Sequence, residues 1–278
     1  MLRSSIFLCS DQSVWRNLFH GRVSATLKQW ACRELFDLFL RNESPCFLIF
    51  LPTFAFVMKI IVSKEIERVC PDFVGACVEA KVVNSCYNSE LWKEIHAIGE
   101  RFRTELTTET LKDVSGIAAT RRIYRACGKD PSRYRPASEA LIRRILQGKK
   151  LYQIDTLVDL INLASIVYGY SIGGFDADKM VGEQLTLGIG KADEPYEGIG
   201  RGVINIEGLP VYRDEIGGVG TPTSDHERTK ITAQTNHLLV LINGYDGKED
   251  SVRANALYIQ KLLRKYAGSD GGRFFVYK

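Results

Sequence analysis

The stretch Thr156–Tyr168 reads TLVDLINLASIVY and is apolar almost all the way round a helix. Such a helix has no solvent face, so it must be buried among other elements. Asp155 stands where an N-cap is needed, and the pattern ends at Tyr168. The runs Val74–Val83 and Leu238–Ile242 have strand lengths. The first is apolar on both faces, as a central strand covered on both sides would be. A buried helix beside buried strands predicts an α+β class: a mixed β-sheet packed with helices.

Further elements follow from periodicity and turn residues. A strand is expected at Lys59–Val62, and a helix at Ser89–Leu106 with Leu91, Ile95, Ile98 and Phe102 on one face. A second helix is expected over Thr108–Ala126; Pro131 and Pro136 then break the chain, and Ser138 caps a helix ending near Gly148. Strands follow at Leu185–Gly190 and Gly202–Asn205, with a Glu207-Gly208 hairpin leading into Leu209–Asp214. Glu249–Tyr266 reads as an amphipathic helix and Arg273–Tyr277 as a last strand.

Composition changes near Met58. Residues 1–57 hold eight of the thirteen Phe, no Tyr and one of the twenty-four Gly, which sets them apart as an atypical extension from a domain at 58–278. Their uncharged run Pro45–Met58 is fourteen residues long and interrupted by Pro52, short of the ~20 that a membrane helix needs. The extension reads as a membrane-associating leader, a docked helical extension, or translated sequence upstream of the true start at Met58. Seven scattered Cys, an odd number with no CxxC pair, fit reduced thiols in a cytoplasmic protein. They give no metal site, and no motif for a cofactor occurs.

Charge is unevenly spread. Ten basic residues between Arg121 and Lys150 face only Asp130 and Glu139, a net +8 on a chain whose total is +4. Such a sector is the footprint expected of phosphate contacts. The residues singled out for RNA binding are Arg121, Arg122, Arg125, Lys129, Arg133 and Arg135, with Tyr124, Tyr134 and Tyr152 placed to stack on bases. The competing reading is a set of solvated helix faces, with Arg135 pinning a loop to a helix end.

Two glycine-bearing segments suggest a pocket. Asn162 interrupts the apolar helix, either tying down a loop or offering a hydrogen bond at a pocket floor. Gly173 and Gly174 follow, then Asp176, which can point inward, and Asp178-Lys179, which reads as a surface pair. Gly218, Gly220, Thr221, Ser224 and Thr229 belong to a glycine-rich turn and polar loop that fits a braced hairpin or the rim of a small-molecule pocket. His226 reads as a loop residue, and His237 has no visible partner.

The spacing Val158-Asp159, Asn162, Gly169, Gly173, Phe175-Asp176 resembles the B3/B4 tRNA-editing domain of the phenylalanyl-tRNA synthetase β-subunit. There the pattern is V-D-x-x-N, six residues, G-x-x-x-H-x-F-D. The segment Tyr124–Leu141 (YRACGKDPSRYRPASEAL) and Arg228-Thr229-Lys230-Ile231-Thr232 are similar to elements of free-standing members. The resemblance covers about Met58–Lys278 and departs from the bacterial pattern twice. The editing histidine aligns with Gly173, and the glutamate that selects tyrosine's hydroxyl falls near Leu241. It implies a partner in tRNA or aminoacyl-tRNA, an amino-acid moiety in the pocket, and no membrane. Hydrolysis of a mischarged ester in trans would draw on Asp225 and Glu227 to hold water and on backbone N–H groups of Gly218–Thr221 for the oxyanion. The alternatives are a non-catalytic RNA-binding module and an amino-acid-binding protein.

Overall fold

The computed structural model describes residues 58–278; the reading of residues 1–57 lies outside them. Ten strands and six α-helices are described there. In chain order they are β1 Lys59–Val62, α1 Lys64–Val69, β2 Val74–Lys81, α2 Ser89–Glu105, α3 Ser115–Ala126, α4 Ala137–Leu146, α5 Thr156–Tyr168 and β3 Ile172–Asp176. There follow β4 Gln184–Ile189, β5 Glu197–Gly198, β6 Gly202–Val203, β7 Pro210–Arg213, β8 Gly218–Gly220, β9 His237–Gly244, α6 Glu249–Tyr266 and β10 Arg273–Tyr277.

The strands form two four-stranded sheets and a short β5–β6 ribbon. One sheet is antiparallel throughout, in the order β10-β2-β9-β3. The other, β1-β4-β7-β8, is mixed, because β1 and β4 run parallel while the remaining pairs are antiparallel. Alternation along the central strands explains why both their faces are apolar. Ala76, Val78 and Ala80 of β2 join Leu238, Val240 and Ile242 of β9 in a core with α2, α5 and α6. Cys77, Leu239 and Leu241 turn the other way and pack with Leu185, Leu187, Tyr212 and Val219 of the mixed sheet.

Helix α5 is buried over most of its surface, with Val158 and Asn162 half-buried, because it serves two cores. Leu160, Leu163 and Ala164 pack in the first, while Ile166 joins Phe102, Ile117, Ile142 and Ile145 of α2, α3 and α4. Asp155 caps it by accepting from the Val158 N–H, and Gly169 ends it in the left-handed region at φ 73°. Asp159 accepts from Trp92 Nε1 at 2.7 Å. Burial pushes its carboxyl up to about 6, against the opposing hydrogen bonds from Ile154 and Trp92. Between the sheets, the Tyr212 hydroxyl donates to Asn243 Oδ1 at 3.0 Å and meets the Tyr277 hydroxyl at 2.6 Å.

Several local expectations are corrected. The helix expected over Thr108–Ala126 is a 3-10 turn at Thr110–Asp113, an extended Val114 and then α3. Ser138 lies inside α4, which starts without a side-chain cap after Pro136; its hydroxyl faces that of Ser171 at 3.4 Å. Glu207-Gly208 makes a turn but no hairpin, since β7 pairs with β4 and β8 rather than with the preceding strand. No described helix is long and apolar enough to cross a membrane.

Candidate functional site: a glycine-walled carboxylate beside a cationic loop

Strand β3 is the outer strand of the antiparallel sheet, so alternate N–H groups along it face away from β9. Asp225 takes one of them: its Oδ2 accepts from the Gly174 N–H at 3.3 Å. The carboxylate sits in a recess that only glycines leave open. A Cβ on Gly173 would lie 3.3 Å from Asp225 Oδ1 and 2.6 Å from the Phe175 ring. A Cβ on Gly220 would meet the same two groups at 2.9 and 2.5 Å, and one on Gly174 would strike Ile161 at 2.5 Å. Burial pushes the Asp225 carboxyl up to about 7; the Gly174 N–H pulls the other way but does not offset it.

The loop carrying Asp225 is braced from several sides. Thr221 Oγ1 donates to the Ser224 carbonyl at 2.9 Å and accepts from the N–H groups of Thr223 and Ser224. The Thr221 N–H also donates to the Ser224 carbonyl, so it is already engaged and makes a poor oxyanion donor. Tyr196, which no motif or periodicity singles out, donates its hydroxyl to Ser224 O at 2.8 Å and receives His226 edge-on. Gly218 lets it pass, since a Cβ there would lie 2.7 Å from the ring. His226 is half-buried and its Nδ1 accepts from the Arg228 N–H. Burial and Arg228 hold its imidazole below the usual range.

The other predicted site residues divide by their partners. Asp176 is buried and structural: it accepts from Thr235 Oγ1 at 2.8 Å and from the Asp178 N–H. Lys179 pairs with Asp176 rather than Asp178. Glu227 is ion-paired with Lys230 and so is not free to hold a water alone. Thr229 is buried with its hydroxyl unpartnered. Asn162 is half-buried, and no hydrogen bond holds its amide among the described residues; it does not tie down a loop. Arg228 makes a two-pronged pair with Asp214 at 2.9 Å for each oxygen. Burial would raise the Asp214 carboxyl, but Arg228 and three backbone N–H groups outweigh it and hold it low.

The basic sector adjoins this loop. Tyr124 is fully buried, with its hydroxyl 2.8 Å from Thr223 Oγ1; it braces the loop and cannot stack on a base, contrary to the expectation. The Ala137 N–H donates to Pro222 O at 2.8 Å, and Thr223 Oγ1 donates to Tyr134 O. The cations themselves fall into two groups. Arg121, Arg135 and Arg143 converge on the buried carboxylate of Glu139 at 2.9, 3.5 and 3.2 Å. Arg122, Arg125 and Arg133 are exposed, and Lys129 lies over the Tyr134 ring at 4.2 Å. Arg144 lies over Tyr152 at 4.0 Å.

Residues 119–264, more than half of the chain, match the B3/4 domain family. The chain belongs to the B3/4 family. Among solved structures it is similar to an N-terminal fragment of the phenylalanyl-tRNA synthetase β-subunit from Pyrococcus horikoshii. The identity is 13% and the TM-score 0.43, over 78% of this chain and 50% of that one. The chain thus spans about half the length of that fragment. No curated protein matches it. Within this B3/4 domain, Gly173 and Leu241 are direct cross-strand partners on β3 and β9. Gly173, which stands where the bacterial pattern has its histidine, therefore lies beside Leu241, near which that pattern's glutamate falls, and the apolar Leu241 side chain is wholly buried.

Proposed function

We propose that this B3/4 domain binds the acceptor end of a tRNA and hydrolyses the ester of a mischarged aminoacyl-tRNA in trans, with Asp225 as the base. The observation that carries the reading is the Asp225 carboxylate: glycine-walled, held by one hydrogen bond, and raised to about 7. A group poised near neutrality is about half ionised at working pH, the condition a general base needs. Asp225 reaches into the space that a side chain at position 173 would enter. The base thus moves to the facing loop in a chain that has glycine where the bacterial pattern has histidine.

In this scheme the Asp225 carboxylate takes a proton from water as the water oxygen bonds to the ester carbonyl carbon. The tetrahedral intermediate then expels the terminal ribose oxygen, which takes that proton back from Asp225. The products are a free amino acid and a tRNA with its hydroxyl restored. Arg122, Arg125, Lys129 and Arg133 supply phosphate contacts on the segment that braces the Asp225 loop. In this scheme the amino-acid moiety lies against Gly173, Gly220 and Phe175 beside Asp225, while Gly174 faces Ile161 of α5, the helix that carries Asn162, on the other side of the strand.

The test is deacylation of a panel of mischarged tRNAs by the wild type and by Asp225→Asn. The expected result is hydrolysis of at least one member, falling on the order of 10²-fold in the variant with tRNA affinity unchanged. Hydrolysis that survives the substitution removes Asp225 from the role. Retained tRNA binding with no hydrolysis across the panel favours the second reading, a non-catalytic RNA-binding module. That reading is favoured by Phe175, whose ring lies against both Gly173 and Gly220.

A further inference from the structure

A cavity of about 350 Å³ lies apart from Asp225 and its neighbours and shares no residue with them. It lies where Asp178, Met180 and Glu183 approach the start of β9, with Met58 and Leu239 on its wall. The sequence offered no partner for His237, yet the structure gives it two. Its Nδ1 lies 2.9 Å from Asp178 Oδ1 and its Nε2 lies 2.9 Å from Glu79 Oε1. Glu79 is only 8% exposed, and its other oxygen accepts from Arg273 Nη2 at 2.8 Å. The ring is therefore fixed, with both nitrogens engaged.

We propose that this cavity binds a small organic ammonium ion carried on an apolar body. The side chains at its polar end leave lone pairs on offer. Asp178 keeps its second oxygen, and the exposed Glu183 carboxylate has no side-chain partner among the described residues. A primary ammonium brings three N–H donors and a positive charge to those acceptors. The remaining wall, formed by the two methionines and Leu239, takes hydrocarbon. A bare metal ion fits poorly, because no group of three His, Cys, Asp or Glu among the described residues is disposed to hold one. The volume lies at the lower end of the range of small-molecule sites, about 300–1,000 Å³.

Phenethylamine is the probe, with 2-phenylethanol as its neutral counterpart. Calorimetric titration of the full chain should show saturable binding of the amine, at least tenfold tighter than the alcohol. NMR of the His237 ring should report the same saturation. Asp178→Asn combined with Glu183→Gln should weaken the amine at least tenfold; Asp178 is 59% exposed in its side chain and Glu183 is also exposed, so the variant should melt normally. If it does not, Met180→Trp, which fills the apolar wall, gives the same readout. Asp225→Asn should leave amine binding intact. Absent saturation, equal affinity for the alcohol, or unchanged affinity when the carboxylates or the wall are altered would each overturn the assignment.

Discussion

Asp225 has a stability signature that is independent of any substrate. Its folded carboxyl sits at about 7 against an ordinary value of 3.8. Between those values the folded chain keeps a proton that the unfolded chain has released, so stability falls as pH rises, and the cost is complete above about 7. Asp225→Asn keeps an acceptor for the Gly174 N–H and removes the cost. It should raise stability by on the order of 2 kcal/mol at pH 8 and by little at pH 4, read as paired thermal melts. Gly220→Ala should act oppositely, since its Cβ would crowd Phe175 and Asp225; overpacking of this kind costs about 1–3 kcal/mol at either pH. At this scale the sequence was only partly legible. The glycines at 173, 174 and 220 read as pocket formers; what comes close to them is side chains, Phe175 and Asp225 at Gly173 and Gly220 and Ile161 at Gly174. The bracing role of Tyr124, the position of Tyr196 and the partners of His237 were invisible, because each depends on contacts between segments dozens of residues apart.

Elements with a strong period were read most accurately. Helix α6 and strand β10 have the expected limits, because an apolar stripe or a run of aromatic and β-branched residues marks each. The helix expected over Thr108–Ala126 fails at Val114, which is extended at ψ 124°. Its side chain would meet a Cβ on Gly169 at 2.7 Å, so packing across elements overrides local propensity there. The α3–α4 pair shows a further limit. Its arginines look like one basic sector in sequence, but Glu139 gathers three of them. Glu139→Gln would leave those guanidiniums without a buried counter-charge, and a loss of about 3–5 kcal/mol is expected in denaturant unfolding. The same substitution at exposed Glu109 should leave the unfolding midpoint essentially where it is.

For the whole molecule, the α+β class with one mixed sheet followed from the buried helix and the two-faced strands. The second, antiparallel sheet did not, because strand pairing over long separations leaves no local mark. The division of the arginines also sharpens the RNA test. Charge reversal at the exposed Arg122, Arg125 and Arg133 should weaken tRNA binding and flatten its dependence on salt, with the melting temperature held. Reversal at Arg121 should instead lower the melting temperature, because it breaks the pair with Glu139. Unchanged salt dependence in the triple variant would move the RNA surface elsewhere. A chain beginning at Met58 should melt like the full chain; aggregation of the shorter form alone would make residues 1–57 structural. The pairing of Val74 with Gly244 sets a delay during synthesis. At ~5–20 residues per second, β2 emerges roughly 10–30 s before β9 does. Through that interval an apolar strand with two sticky faces has no partner on either edge, because β10, its other neighbour, is made later still. Yield in a heterologous host should therefore depend on growth temperature and on chaperone supply more steeply than the folded protein's own melting point would suggest.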